Sequence, residues 1–216
     1  MEKMLLRQKA YEKIKEAIVT LQFEMGKSLN DKELSAEFQL GRTPIREALQ
    51  QLSNEGLVVI VPRKGVYVST VSLEDFHRLI DTRLMIETHC ARKAAILMKE
   101  ETFDHLDRIM GSLEPMILAR DIGALLSVDR QIHMAIVESL DNVYIEQIAN
   151  QLYNRVARLW FLSFKSLDEP ELRARLMSHQ PIIDALKNRD PDGAEKTVKC
   201  HIEVFVERIY KRLGTP

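Results

Sequence analysis

Only two cysteines occur among the 216 residues, Cys90 and Cys200, and neither has a neighbour at metal-finger or redox-motif spacing. That excludes a disulfide framework and reads both as buried thiols. The chain has no run of eighteen or more apolar residues, which excludes a membrane-spanning helix and with it a membrane partner. No apolar signal-peptide core follows Met1-Glu2-Lys3-Met4, where an amphipathic pattern begins at once, so a cytoplasmic location is expected. There is little net charge, −1, which excludes a generally basic coat for nonspecific nucleic-acid binding. Internal repeats and low-complexity tracts are also lacking. What is present, 45% hydrophobic and 29% charged residues, is ordinary globular composition with enough apolar material for a sizeable core.

Charge is uneven along the chain. Residues 1–70 hold 11 Lys+Arg against 9 Asp+Glu, a balance of +2, and residues 71–216 stand at −3. The difference is small, but Arg42, Arg46, Arg63 and Lys64 fall within one short stretch, as a local footprint for phosphate requires. In the same stretch, the apolar positions Ala10, Ile14, Ala17, Ile18 and Leu21 predict a helix over 7–23 that ends near Gly26. A shorter helix follows, capped by Asn30 or Asp31, with Glu33 placed to return a hydrogen bond and Leu34 and Phe38 facing inward. A third opens at Thr43-Pro44, the threonine hydroxyl taking an orphan N–H and the proline fitting the first turn. Its inner stripe is Ile45, Ala48, Leu49 and Leu52, and Gly56 supplies a left-handed end. Residues 57–61 read as a strand, Pro62-Arg63-Lys64-Gly65 as a turn, and residues 66–69 as the returning strand.

Three helices and a hairpin in this order form a winged helix-turn-helix, a fold that reads double-stranded DNA. Its third helix must present polar side chains near its N-terminus to the major groove, and Arg42, Thr43, Arg46 and Gln50 meet that need. Arg63 and Lys64 at the wing tip suit phosphates or the minor groove. The region resembles the GntR family of bacterial regulators. The similarity lies in Gly26-Lys-Ser-Leu-Asn-Asp-Lys-Glu-Leu-Ser-Ala-Glu-Phe38, Arg42-Thr-Pro-Ile-Arg-Glu-Ala-Leu49, Leu52-Ser-Asn-Glu-Gly-Leu57 and Pro62-Arg-Lys-Gly65. The resemblance implies that Arg42 and Arg46 contact DNA, with Lys32, Thr43 and Gly65 close to it. One departure is Gln39-Leu40-Gly41, which lacks the hydroxyl the family often has at position 41.

Beyond Thr70 the pattern is wholly helical, giving a mainly α chain with a DNA-binding domain at 1–70 and an all-helical bundle at 71–216. Ser72-Leu-Glu-Asp75 opens a long helix to about residue 98, with Phe76, Leu79, Ile80, Leu84 and Ile86 inward. Further helices are expected over about 101–119, 122–139, 143–166, 169–188 and 191–212, with breaks at Asp121, Asp141-Asn142, Asp168-Glu169-Pro170 and Asp190-Pro191.

Asp129 and His133, four apart, share one helix face, and His179 and His201 fall on the last two expected helices. Three imidazoles and a carboxylate suit Zn, Ni, Mn or a related divalent ion. The bundle is similar to the FCD ligand-binding domain of one GntR subfamily, through Arg83-Leu-Met-Ile-Glu87, Asp129-Arg-Gln-Ile-His133, Asp141-Asn142, His179-Gln180-Pro-Ile-Ile-Asp-Ala-Leu186 and His201. That resemblance implies that Asp129, His133, His179 and His201 hold a metal ion. It also leads us to expect a small organic acid as effector. Six-coordination would leave two positions for water or an acid, whose other end Arg83 can grip bidentately; equally, Arg83 can pair with Glu87 one turn away. His77, His89, His105 and Gln180 read as bystanders.

The function expected is a homodimeric regulator, a repressor by preference, whose two winged domains bind a palindromic operator and respond to the effector. Two alternatives stay open. The metal itself can be the regulated signal, or the site can activate water as a hydrolase does.

Overall fold

The computed structural model describes residues 2–213. The chain divides into two compact units. One runs to Leu73 and includes Asn154–Arg158, and the other holds Glu74–Tyr153 and the residues from Leu159 onward.

The first unit contains α1 (Glu2–Val19), β1 (Ser28–Leu29), α2 (Asp31–Phe38), α3 (Arg42–Asn54), β2 (Val58–Val61) and β3 (Gly65–Val68). Ala10, Ile14, Ala17 and Ile18 of α1 recur at helical spacing and share a core with Ile45, Ala48, Leu49 and Leu52 of α3. The first helix ends at Val19, earlier than the periodicity predicts, because Leu21 turns the chain left-handed at φ 60°. Asn30 caps α2 by accepting from the Lys32 N–H at 2.8 Å. The third helix begins one residue before Thr43, with Gly41 at the cap and no side-chain capping bond, so the expected threonine cap is corrected. The hydroxyl missing at position 41 is the group that would have served there. Gly56, at φ 75°, ends α3 as expected.

The sheet has three strands, not two. β3 pairs antiparallel with β2 (Val61 opposite Gly65) and with the two-residue β1 (Leu29 opposite Val66), giving the order β1-β3-β2. A two-residue strand has no alternation to read, and only the arrival of β3 beside it defines it.

The second unit is built from the remaining elements, all helices, of which only Leu73 and Asn154–Arg158 fall in the first: α4 (Leu73–Leu97), α5 (Glu100–Gly111), α6 (Leu113–Leu118), α7 (Ile122–Glu138), α8 (Val143–Ser166), α9 (Glu169–Met177), α10 (Gln180–Lys187) and α11 (Pro191–Leu213). Asp121 and Asn142 cap α7 and α8, and Asp168 with Glu171 forms a capping box at α9. Two expected helices are each broken in two. Pro115 and Pro181 cause it, since proline has no N–H for the preceding turn and its ring collides with the carbonyl four residues back. The breaks fall at Ser112 and at Ser178-His179.

Phe76, Ile132, Trp160, Phe164, Leu176, Ile182 and Phe205 are among this unit's buried residues. Trp160 and Phe205 have ring centroids 4.7 Å apart. On α4, Leu79, Leu84 and Ile86 are half-buried, because Arg83 and Glu87 take the buried face between Ile80 and Cys90. Cys90 is buried as expected; Cys200 is exposed, one residue from the inward-facing His201. Among the described residues no helix is long and apolar enough to cross a membrane.

Candidate nucleic-acid interface and candidate metal centre

The inner stripe of α3 fixes which of its residues face outward. Arg42, Thr43, Arg46 and Gln50 are exposed, as is Lys32 on α2. Arg42 and Arg46 converge on Asp31. The Arg42 guanidinium donates to Asp31 at 2.8 Å and the Arg46 Nε donates to the same carboxylate, while the two arginine side chains remain 54% and 66% exposed. The Arg42 hydrogen bond, with Arg46 beside it, holds the Asp31 carboxyl below its usual range. Asp31 was visible in the sequence only as an alternative cap. Its partners lie eleven and fifteen residues away, a separation no helical spacing connects.

The wing turn is tight. Arg63 takes φ 64° and Gly65 φ 125°, the Lys64 N–H donates to the Val61 carbonyl at 3.1 Å, and Arg63, Lys64 and Gly65 are all exposed. Asp31, Arg46, Gln50 and Gly65 line a shared hollow of about 370 Å³. This places the start of α2, the outer face of α3 and the wing on one surface.

In the helical unit four distant residues come together. Asp129 and His133 project from α7, His179 stands at the α9–α10 break and His201 lies on α11. Ligand atoms from all four fall within 4.8 Å of one another. The imidazole centroids of His179 and His201 are 4.2 Å apart, and that of His133 is 5.4 and 5.2 Å from them. The four residues are 0–5% exposed.

The ring nitrogens divide into two sets. On the outer side, His179 Nδ1 is 2.9 Å from the Leu176 carbonyl and His201 Nδ1 is 2.9 Å from Ser178 Oγ. His133 Nδ1 lies 2.6 Å from the Glu87 carboxylate. On the inner side, Nε2 of all three rings is buried and forms no hydrogen bond, although that of His179 lies 3.3 Å from the Asp129 carboxylate. Buried nitrogens left in this way are rare in proteins. Three around one carboxylate, two of the rings with an outer polar group in hydrogen-bond reach and the third beside the Glu87 carboxylate, are the donor set a divalent ion takes, so the residues fit a metal.

Four further residues surround the cluster. Arg83 Nε donates to Glu87, and the guanidinium carbon lies 5.2 and 5.1 Å from the Tyr153 and Trp160 ring centroids. The pairing across one turn is therefore present, while Arg83 Nη1 stays buried without a hydrogen bond. Burial would raise the Glu87 carboxyl, but Arg83 and His133 beside it outweigh that and hold it at about 2. Tyr153 donates its hydroxyl to Asp129. Arg175, which sequence reasoning missed, donates from Nη2 to Asp129 at 3.2 Å and has Nη1 3.1 Å from His201 Nδ1. Its spacing of four from His179 was the one available signal.

Burial holds the His179 and His201 imidazoles below their ordinary range, His201 well below with Arg175 adding to the effect, so both are neutral as metal ligation requires. Burial opposes ionisation of Asp129, yet the His179 ring 3.3 Å away and the charge of Arg175 keep it well below the usual carboxylate range. His77, His89 and His105 are exposed, and Gln180 bonds Asp184 at 2.8 Å.

A winged helix-turn-helix with exposed arginines on its third helix, followed by a helical unit with an inward acid-and-imidazole cluster, defines a class of DNA-binding transcriptional regulators. The chain belongs to the GntR family of bacterial regulatory proteins, whose model matches residues 6–68, and it carries an FCD domain over residues 78–204. It is similar to the HTH-type transcriptional repressor RspR of Escherichia coli K12, 27% identical over 204 residues that cover 94% of this chain and 89% of that protein. It is also similar to the gluconate operon transcriptional repressor of Bacillus subtilis, 28% identical over 184 residues, 84% and 75% of the two chains. Among solved structures, Escherichia coli McbR/YncC shares the fold with a TM-score of 0.85 at 18% identity, covering 96% of this chain and 98% of that one.

Proposed function

We propose that this protein is a cytoplasmic, homodimeric repressor whose operator affinity is set by a small carboxylate bound at a divalent-metal site. In this reading residues 1–70 bind DNA and residues 71–216 bind the metal and the acid and form the dimer. Arg42, Thr43, Arg46 and Gln50 read bases in the major groove, Lys32, Arg63, Lys64 and Gly65 sit against the backbone, and a palindrome presents one half-site to each protomer. Asp129, His133, His179 and His201 hold the ion, of the Zn, Ni or Mn type. When bound, the ion supplies a fixed positive charge that a carboxylate can coordinate, and Arg83, through its unpaired Nη1, grips that acid. Repression is supported by the names of the two curated relatives.

One observation carries the metal reading: three buried Nε2 atoms that form no hydrogen bond, gathered about Asp129. Equilibrium metal binding to chelated and reloaded protein tests it, with fluorescence anisotropy of promoter DNA at fixed salt following metal and acids added separately. About one ion per chain is expected, lost in His133→Ala and His179→Ala, with DNA release only when acid is added. No bound ion sinks the metal reading, and release by metal alone makes the ion itself the signal. Steady ester or amide hydrolysis abolished by His133→Ala would instead make the protein an enzyme.

A further inference from the structure

Charge around the cluster balances only while no cation sits within it. Asp129 and Glu87 are negative, Arg83 and Arg175 are positive, and all four are more than nine-tenths buried. An ion held by Asp129 and three neutral imidazoles would leave this closed space with two excess positive charges. Uncompensated charge out of reach of water is strongly unfavourable. A monoanion would cancel half of it, and a compact dianion would cancel it all.

The same step disturbs Arg175. An ion on Asp129 competes for the oxygen that its Nη2 now holds at 3.2 Å. A His201 ring ligating through Nε2 keeps its proton on Nδ1, where it donates to Ser178 Oγ and turns an N–H toward the Arg175 Nη1 now 3.1 Å away. Arg175 therefore gains by finding another anion. It also has room to do so, because it lines a groove of about 230 Å³ with Ser178, Cys200, His201 and Phe205, between α9–α10 and α11. Stacking over Phe205, at 4.3 Å from the ring centroid, keeps the guanidinium there. Arg83, by contrast, stays held by Glu87 and two aromatic rings and offers the acid only its Nη1.

We propose that Arg175 forms a second anion subsite, exchanging Asp129 for the distal carboxylate of a compact dicarboxylate that enters by this groove. The inference rests on the metal-and-acid reading above and narrows the acid to compact dianions.

Zinc-loaded protein titrated calorimetrically with succinate and with butyrate, which has the same chain length and half the charge, tests it. Wild-type protein should prefer succinate about tenfold or more, the scale of one charge-assisted hydrogen bond. Arg175→Met should bring the two acids within about twofold while zinc still binds, and Arg175→Lys should keep part of the preference. Alkylating the exposed Cys200 at the groove rim with N-ethylmaleimide should abolish succinate binding in wild type and have no effect in Cys200→Ser, a result that does not depend on how well Arg175→Met folds. No preference in wild type, a preference retained in folded Arg175→Met, or full succinate affinity after alkylation would overturn the proposal. Failure of zinc to bind at all would mark the metal reading, rather than the subsite, as wrong.

Discussion

On the surface of the first unit, Asp31 holds Arg42 and Arg46 with the guanidiniums half or more in water; inside the helical unit, Asp129 holds Arg175 with both side chains almost fully buried. The two groupings use the same chemistry and differ in what surrounds it. Exposed ion pairs contribute about 0–1 kcal/mol and are screened by salt, so Asp31 can give up its arginines to phosphates or guanines at little cost. A buried pair is different: removing one partner leaves a charge that water cannot reach. The surface carboxylate holds two arginines that can leave it, whereas the interior pair must be replaced by something of equivalent charge.

The sharpest way to break this comparison is to remove the acids. In metal-free protein, Asp129→Ala should cost about 3–5 kcal/mol of stability by leaving Arg175 uncompensated, read as a lower urea midpoint. Operator affinity should respond most to the arginines. Arg46→Ala should lose about 1–3 kcal/mol of binding to its specific site and change stability by no more than about 0.5 kcal/mol. A large drop in melting temperature would show that the arginine is structural.

Acidity separates the regions further. Because burial depresses His179 and His201 in the folded chain, the unfolded chain takes up protons first as pH falls through about 6.5, so metal-free stability should decline from pH 7.5 to 5.5. Urea melts should show the decline flattened in a variant carrying both His179→Gln and His201→Gln, and an equal slope in that variant would assign it elsewhere. The smallest effect expected is that of Asp31→Asn, at most about 1 kcal/mol in stability. Affinity for nonspecific DNA should rise as a phosphate-repelling charge is lost, and unchanged or weaker DNA binding would show that Asp31 positions the arginines rather than competing for them.

Much of this was legible in the sequence for identifiable reasons. The stripe Ile45, Ala48, Leu49, Leu52 turns Arg42, Arg46 and Gln50 outward whatever else the chain does, and Asp129 and His133 share a face because four residues make about one turn. The missed elements all depended on partners distant in sequence: β1 on β3, Asp31 on α3, Arg175 on Asp129. The helix breaks are a different case, since Pro115 and Pro181 stand in the sequence inside the helices expected over 101–119 and 169–188. That mattered at Pro181, where the break sets His179 at the turn facing the cluster.

The order of helices and hairpin, the outward arginines and the acid-imidazole pair on α7 were determined by local periodicity and capping, which depend only on neighbours along the chain. Tertiary structure alone decided that His179 and His201 meet that pair, that their Nε2 atoms are left facing Asp129, and that Arg175 joins them. Convergence of side chains from three separate stretches of chain is fixed by the packing of the whole helical unit, and no spacing within any one stretch encodes it.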